Sequence, residues 1–291
     1  MFAIEKYYYA ESVEDAVRYL ASHKGAKILA GGTDVLVRLH EGKSDYGHLV
    51  DINGLDELKT ISMDESGAIF IGSRATFSEI INSEIIRQHV PMLAQALLTI
   101  GGPQVRNTGT MGGNICNGAV SADSACAALV YEFDLLVLGP EGERTESIHG
   151  FHTGPGRTIL QQGDLLKSFV IRPENYTGFW ASYIKYAMRG AMDIATIGCG
   201  AAIKMNGDEV ETFKLAFTVA APTPIRCPTA EKIMVGSTIS EQSLERLADA
   251  VEADVKPRTS WRASKEFRLH IIRTLAKKVT RQAVTNQGGN D

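Results

Sequence analysis

The residues best suited to chemistry lie between 99 and 126, TIGGPQVRNTGTMGGNICNGAVSADSAC. Glycines 101, 102, 109, 112, 113 and 118 alternate with Thr99, Asn107, Thr108, Thr110, Asn114, Asn117, Ser121, Asp123 and Ser124. Such a stretch buries little apolar area. It can adopt left-handed turns and bring its N–H groups close to a ligand, because glycine has no Cβ in the way. Successive N–H groups in such turns form a concave anion site. A second run, KILAGGTDVLVRL at 27–39, starts as a short buried strand and breaks at Gly31 and Gly32. It resumes with helical spacing at Val35, Leu36 and Leu39, with Thr33 or Asp34 as the N-cap. Strand, glycine pair and helix start together direct N–H groups at a phosphate. Neither run is a G-x-G-x-x-G fingerprint or a Walker A loop, which needs a Lys after its last glycine. A lone glycine pair fits a tight turn equally well. Two runs, one of them long and rich in amides and hydroxyls, point to a large polar cofactor with a pyrophosphate.

Little else in the chain is arranged for chemistry. Cys116, Cys126, Cys199 and Cys227 form no C-x-x-C and have no close histidine, which argues against zinc, an iron–sulfur cluster or a disulfide framework in this chain. Buried free thiols are expected, with Cys116 set apart by its place in the glycine-rich stretch. The seven histidines are dispersed. With 291 residues the chain is long enough for two or three packed units, and 44% hydrophobic with 22% charged residues is ordinary for a globular protein. A formal net charge of −4 and no long basic stripe argue against nucleic acid. No apolar run would span a bilayer and no secretory signal is evident, so a cytoplasmic location is expected.

The elements that must position the glycine runs follow from periodicity. A strand is expected from Tyr7 to Ala10, then a helix capped by Ser12 with Val13, Ala16, Val17 and Leu20 on its apolar stripe. HLVDI, TISMD and AIFIG between 48 and 75 read as strands, and a helix starts at Thr76. A further helix from Met92 to Ile100 runs into Gly101, so the long glycine stretch reads as a loop hanging from a helix end. Strands follow at 133–139 and 164–173, with a turn-rich boundary near 174–179. ASYIKYAMR, IATIGCGAAIKM and TFKLAFTVAAPTP read as three successive strands, the last two joined by a turn at NGDE. Helices are expected from Ser240 to about Val255 and from Ser264 to Val284, and the tail NQGGND reads as disordered. The pattern is α+β in three units.

AGGTD followed by TIGGPQVRNTGTMGGNICNGAVSADSA resembles the paired double-glycine pattern of the FAD-binding medium subunits of molybdenum hydroxylases. ICNGAVSADSA, GFHTGPG, KYAMRGAMDIATIGC, AAPTPIRC and SWRASKEFRLH are most similar to the xanthine dehydrogenase branch, and the resemblance spans essentially the whole chain. It implies an α+β fold: two small FAD-clasping subdomains of the PCMH type (about 1–55 and 56–176), then a C-terminal domain (177–291) of a three-stranded antiparallel sheet with helices. It also implies that FAD in this chain takes electrons from two-iron two-sulfur clusters and a molybdenum cofactor on partner subunits and reduces NAD+, as hypoxanthine or xanthine is oxidised to urate. The alternatives are another molybdenum hydroxylase, acting on an aldehyde, an N-heterocycle or carbon monoxide, and a stand-alone FAD- or nucleotide-binding protein.

The resemblance also assigns cofactor contacts. Gly31, Gly32, Thr33 and Asp34 match the first motif, with Leu29 and Ala30 as further cofactor contacts. Gly112, Gly113 and Asn114 match the second, and the backbone of both would hold the pyrophosphate, with Ile100, Gly101 and Thr110 as further cofactor contacts. Asn117 and Asp123 would meet cofactor hydroxyls, with Ser121 as a further cofactor contact, and the other reading of Asp123 is a cap for the following helix. Leu165 and Leu166 would cover the ring, and Lys185 and Asp193 would face the flavin edge. From the residues alone Lys185 reads as an exposed lysine on an edge strand, Arg106 as a phosphate partner or a solvated loop residue, and the Trp261–Arg268 cluster as a helix face or a partner contact. No residue is expected to act as acid or base at the flavin, and no metal is expected in this chain.

Overall fold

The computed structural model of the protein describes residues 4–285, so the 286–291 tail expected to be disordered lies outside the described residues. The N-terminal unit runs β1 (Lys6–Tyr9), α1 (Val13–Ser22), β2 (Lys27–Leu29), α2 (Val35–His40) and β3 (His48–Asp51). The Ser12 hydroxyl accepts the Asp15 N–H at 3.0 Å, and the expected stripe of Val13, Ala16, Val17 and Leu20 is buried. The sheet order is β1-β3-β2 with every pair parallel, so this unit departs from the antiparallel pattern found elsewhere. Parallel neighbours need crossovers, and α1 and α2 supply them.

The second unit begins with β4 (Ile61–Met63) and β5 (Ile69–Gly72), then passes through α3 (Phe77–Asn82), α4 (Glu84–His89) and α5 (Pro91–Leu98). The stretch read as one long loop contains two short helices, α6 (Pro103–Thr108) and α7 (Met111–Cys116). Pro103 suits a first helical position, where no N–H is needed. The Thr110 hydroxyl caps the next helix by accepting the Gly113 N–H at 3.1 Å. Six residues are too few to display an apolar period, so the pattern gave no sign of them. Next come α8 (Asp123–Val130), β6 (Asp134–Gly139), β7 (Gly142–Ser147), the small hairpin β8 (His152–Gly154) and β9 (Arg157–Thr158), and β10 (Leu165–Ile171). The antiparallel order β4-β5-β10-β6-β7 puts β10 at the centre, although it comes last in the chain.

The third unit holds β11 (Trp180–Tyr186), β12 (Ile197–Asn206), β13 (Glu209–Thr218) and β14 (Ile225–Arg226), then α9 (Pro228–Met234), α10 (Glu241–Ala250) and α11 (Lys265–Thr285). The three expected antiparallel strands pair in sequence order, and the two-residue β14 adds an edge. One face of this sheet packs on α9, α10 and α11, with Phe217, Leu215, Leu247, Ile272 and Val279 in the core. The other face receives α5 and α8. All eight residues of α8 are buried, and most are small. Gly200 on β12 lets α8 come close: a Cβ there would lie 3.1 Å from the Cys126 sulfur. Among the described residues no helix is long and apolar enough to cross a membrane.

Phe169, fully buried on central strand β10, has its ring centroid 5.9 Å from that of Phe133. Phe169→Ala should cost about 3–5 kcal/mol through lost transfer energy and the cavity left behind. Denaturant unfolding checks this, and an unshifted midpoint would remove Phe169 from the energetics of the core.

Candidate functional site

The two glycine runs meet across a cleft of about 510 Å³, within the usual range for small-molecule sites. Its wall is built from the loop after β2, α6 and α7, and the 161–166 segment that enters β10. The runs touch backbone to backbone: a Cβ on Gly31 would fall 1.9 Å from the Thr108 carbonyl oxygen. Only glycine allows this approach. Gly32, with φ of +69°, turns the chain immediately afterwards.

The runs differ in what they leave free. Among the described residues, the N–H groups of Gly31, Gly32, Thr33, Asp34 and Val35 have no protein acceptor, and all five residues line the cleft. In the second run the N–H groups of Gly112, Gly113 and Asn114 are already engaged. Gly112 donates to the Ser73 carbonyl at 2.8 Å, Gly113 to the Thr110 hydroxyl at 3.1 Å, and Asn114 to the Thr110 carbonyl at 3.0 Å. The sequence-based expectation that both runs present backbone donors is therefore corrected at these three residues: the Ser73 carbonyl takes the Gly112 donor, and Thr110 takes those of Gly113 and Asn114. Its glycines act by their bareness. A Cβ on Gly112 would sit 2.5 Å from the Ser73 carbonyl oxygen, whereas one on Gly113 would meet only the Thr110 hydroxyl, at 2.9 Å. Gly113 is thus smooth cleft wall, and Gly112 is a packing contact.

Ala30, Gly31, Gly32, Thr33, Asp34, Ile100, Thr110, Gly112, Gly113, Asn114, Asn117, Leu165 and Leu166 come together on the cleft. Leu29, Gly101, Ser121, Asp123, Lys185 and Asp193 do not line it. The Leu29 carbonyl instead accepts the Ile52 N–H at 3.1 Å. Gly101 has φ of +48°, and its carbonyl accepts from Arg106 at 3.2 Å. Arg106 also reaches the carbonyls of Leu98 and Ile100, so it closes the end of α5, a role different from both sequence readings.

Asp123 and Lys185 meet each other rather than the cleft. Lys185 Nζ donates to Asp123 Oδ2 at 2.9 Å and to the Thr99 carbonyl at 3.0 Å, while the Tyr183 hydroxyl donates to Asp123 Oδ1. Both charged side chains are buried. Burial pushes the Asp123 carboxyl above its ordinary pKa, against the opposing Lys185 charge and the Tyr183 hydrogen bond. Asp123 is the first residue of α8, with no capping bond from the preceding Ala122, so it does not act as the cap either. Asp193 lies in the exposed loop after β11. Burial raises its pKa, but the N–H groups of Ile194 and Arg189 and the Arg189 charge bring it down overall.

Several cleft residues escaped the sequence reading. Lys27 and Arg38 flank the Tyr46 ring at 5.5 and 5.6 Å from its centroid, and among the described residues neither has a carboxylate partner. Their signal was positional, since both bracket the first glycine pair. Asp164 lines the cleft behind Leu165 and is clamped by Arg144, with Nη1 at 2.9 Å from Oδ1. Asp164 and Glu146 together raise the Arg144 pKa. Nothing local in the sequence pairs residues 144 and 164. The half-buried Cys116 thiol is pushed up to about 12 by burial, which makes it a poor nucleophile at neutral pH. Among the described residues no group of three His, Cys, Asp or Glu side chains could hold a metal.

Residues 2–173 match the family described as the FAD binding domain in molybdopterin dehydrogenase, and residues 182–283 match the CO dehydrogenase flavoprotein C-terminal domain. The chain is 47% identical to a xanthine dehydrogenase FAD-binding subunit of Escherichia coli O157:H7, over 99% of each chain. It is 29% identical to the carbon monoxide dehydrogenase medium chain of Hydrogenophaga pseudoflava, over 96% of each. A solved structure of carbon monoxide dehydrogenase from that organism superposes with a TM-score of 0.93 at 28% identity, covering 98% of this chain and 99% of the other.

Two predictions follow from this geometry. Gly113→Val should keep the fold but lose cleft ligand binding, whereas Gly112→Val should also lower the thermal midpoint, because it collides with backbone; circular dichroism and ligand titration separate the two. Lys185→Met should cost about 3–5 kcal/mol by leaving Asp123 charged and unpaired in the interior. Adding Asp123→Asn should recover most of that loss in a double-mutant cycle, and additive losses would show that the pair is not coupled.

Proposed function

The chain belongs to the family of FAD-binding domains of molybdopterin dehydrogenases, and we propose that it is the FAD-carrying subunit of a xanthine dehydrogenase complex. The observation that carries the FAD assignment is the row of five N–H groups, Gly31 to Val35, left without protein acceptors on the cleft. A pyrophosphate is the ligand group that such a row satisfies. Lys27 and Arg38 add positive charge at the same wall, and the bare Gly113 leaves room for close approach. Thr110, Asn114 and Asn117 offer polar groups, and Leu165 and Leu166 offer an apolar cover for a ring.

When bound, FAD supplies the redox chemistry; this chain contributes binding and orientation. Its residues act by positioning, and no side chain on the cleft is assigned a proton-transfer role. The partners are a molybdenum-cofactor subunit and a small subunit with two-iron two-sulfur clusters. NAD+ is the final electron acceptor, and hypoxanthine and xanthine are the substrates oxidised to urate. The full-length likeness to the xanthine dehydrogenase subunit, well above that to the carbon monoxide enzyme, supports this branch. The same reading divides the chain into an FAD-binding region at 1–176 and a C-terminal domain at 177–291, in the cytoplasm.

The test is to express the chain with its natural partner subunits, purify it and assay NAD+ reduction with xanthine. Flavin absorption with copurified iron and molybdenum, and turnover with xanthine, is the expected result. Turnover only with another substrate would reassign the branch. Flavin with no partner would overturn the complex, and a colourless protein that FAD cannot reconstitute would overturn the site.

A further inference from the structure

The SWRASKEFR segment is not used by the cofactor cleft. Between 256 and 268 the chain places five cationic side chains and one acidic one, in a protein whose net charge is −4. Arg268, only 2% exposed, is held by the Thr196 carbonyl and by the Ser260 hydroxyl at 2.9 Å, with no carboxylate. Its Nε and that of Arg262 are buried without any hydrogen-bond partner. Burial and the nearby Arg258 and Arg262 charges all lower the Arg268 pKa, so three guanidinium groups share one neighbourhood. Among the described residues, Arg258, Arg262, Lys265 and Arg268 form no ion pair. Arg268 is sealed inside the chain, whereas Arg258, Arg262 and Lys265 lie wholly or partly at the surface without a counter-charge, and that pattern suits an anionic group from outside the chain.

That group comes with an apolar surface. Trp261 is 78% exposed, and the Arg262 guanidinium lies 4.2 Å above its ring. Phe267, also exposed, meets the Tyr186 ring at a centroid distance of 6.0 Å. The loop after Tyr186 exposes Met188 and Met192, and the Met192 sulfur would lie 3.6 Å from a Cβ on Gly102, beside cleft residues Ile100 and Val105. The patch is therefore continuous with the cleft rim. A small anion would answer the charge and leave the aromatic rings uncovered; a protein surface answers both. Exposed Trp and Arg together are the residues most often dominant in interfaces.

Resting on the multi-subunit reading above, we propose that Trp261, Arg258, Arg262 and Phe267 form the docking face for a partner subunit, which brings a carboxylate-bearing segment to the surface side of the guanidinium cluster and an apolar socket to Trp261. Docking here seats the partner beside the cofactor cleft, as electron delivery between subunits requires.

The test uses the assembled complex, with the FAD subunit tagged and carrying Arg262→Glu, Trp261→Ala or, as a charge-matched control elsewhere, Lys43→Glu. Recovery of partner subunits should fall about tenfold or more for the first two and stay at the wild-type level for the control. FAD content and thermal midpoint of the isolated variants should match wild type, and wild-type recovery should weaken as salt is raised. Partner recovery unaffected by either substitution would overturn the docking face alone. Loss of self-association with partner recovery intact would reassign the patch to a contact between copies and also overturn it. A wild-type chain that recovers no partner subunit would overturn the complex reading and this proposal with it.

Discussion

Gly31 and the Thr108 carbonyl lie so close that no side chain fits between them, and the cleft depends on this contact. It brings two distant segments together at van der Waals range, and the residues from Gly31 to Val35 line the cleft with N–H groups that have no protein acceptor among the described residues. A side chain at Gly31 would collide with the Thr108 carbonyl and push the two segments apart. The parallel sheet on one side and α6 on the other act as rigid supports for a junction made of backbone alone.

The two glycine runs are chemically different despite their similar composition. In the first, the backbone N–H groups are unsatisfied and available; in the second, the Ser73 carbonyl and Thr110 satisfy those of Gly112, Gly113 and Asn114. An unpaired N–H row is stable only where water or a ligand can reach it, because a buried donor without a partner is costly. The cleft meets that requirement. The second run contributes shape instead, with Gly112 pressed on Ser73 and Gly113 left open.

Behind the cleft, Asp123, Lys185 and Tyr183 form a buried polar tie between α8 and the third sheet. Lys185 also reaches the Thr99 carbonyl at the end of α5, just before cleft residue Ile100. This tie fixes one wall of the cleft to the C-terminal domain, so the position of that domain and the shape of the site are set together. Arg226, bonded to Glu132 and Glu231, makes a similar link at the far end of α8.

The long strands, α1, α10 and α11, the turn at Gly207 and both glycine runs were legible in the order of residues, because period, caps and glycine placement are local properties. The family resemblance was carried by the same short stretches. Three things were not legible. The six-residue helices α6 and α7 are too short to show a period. The parallel pairing of β1, β3 and β2 depends on where the crossovers pack. The partners of Asp123, Lys185, Asp164 and Arg144 lie tens of residues apart in the chain. Which charged residue faces a cavity and which is consumed by another charge is settled by the distances that folding creates, and no spacing in the sequence encodes those.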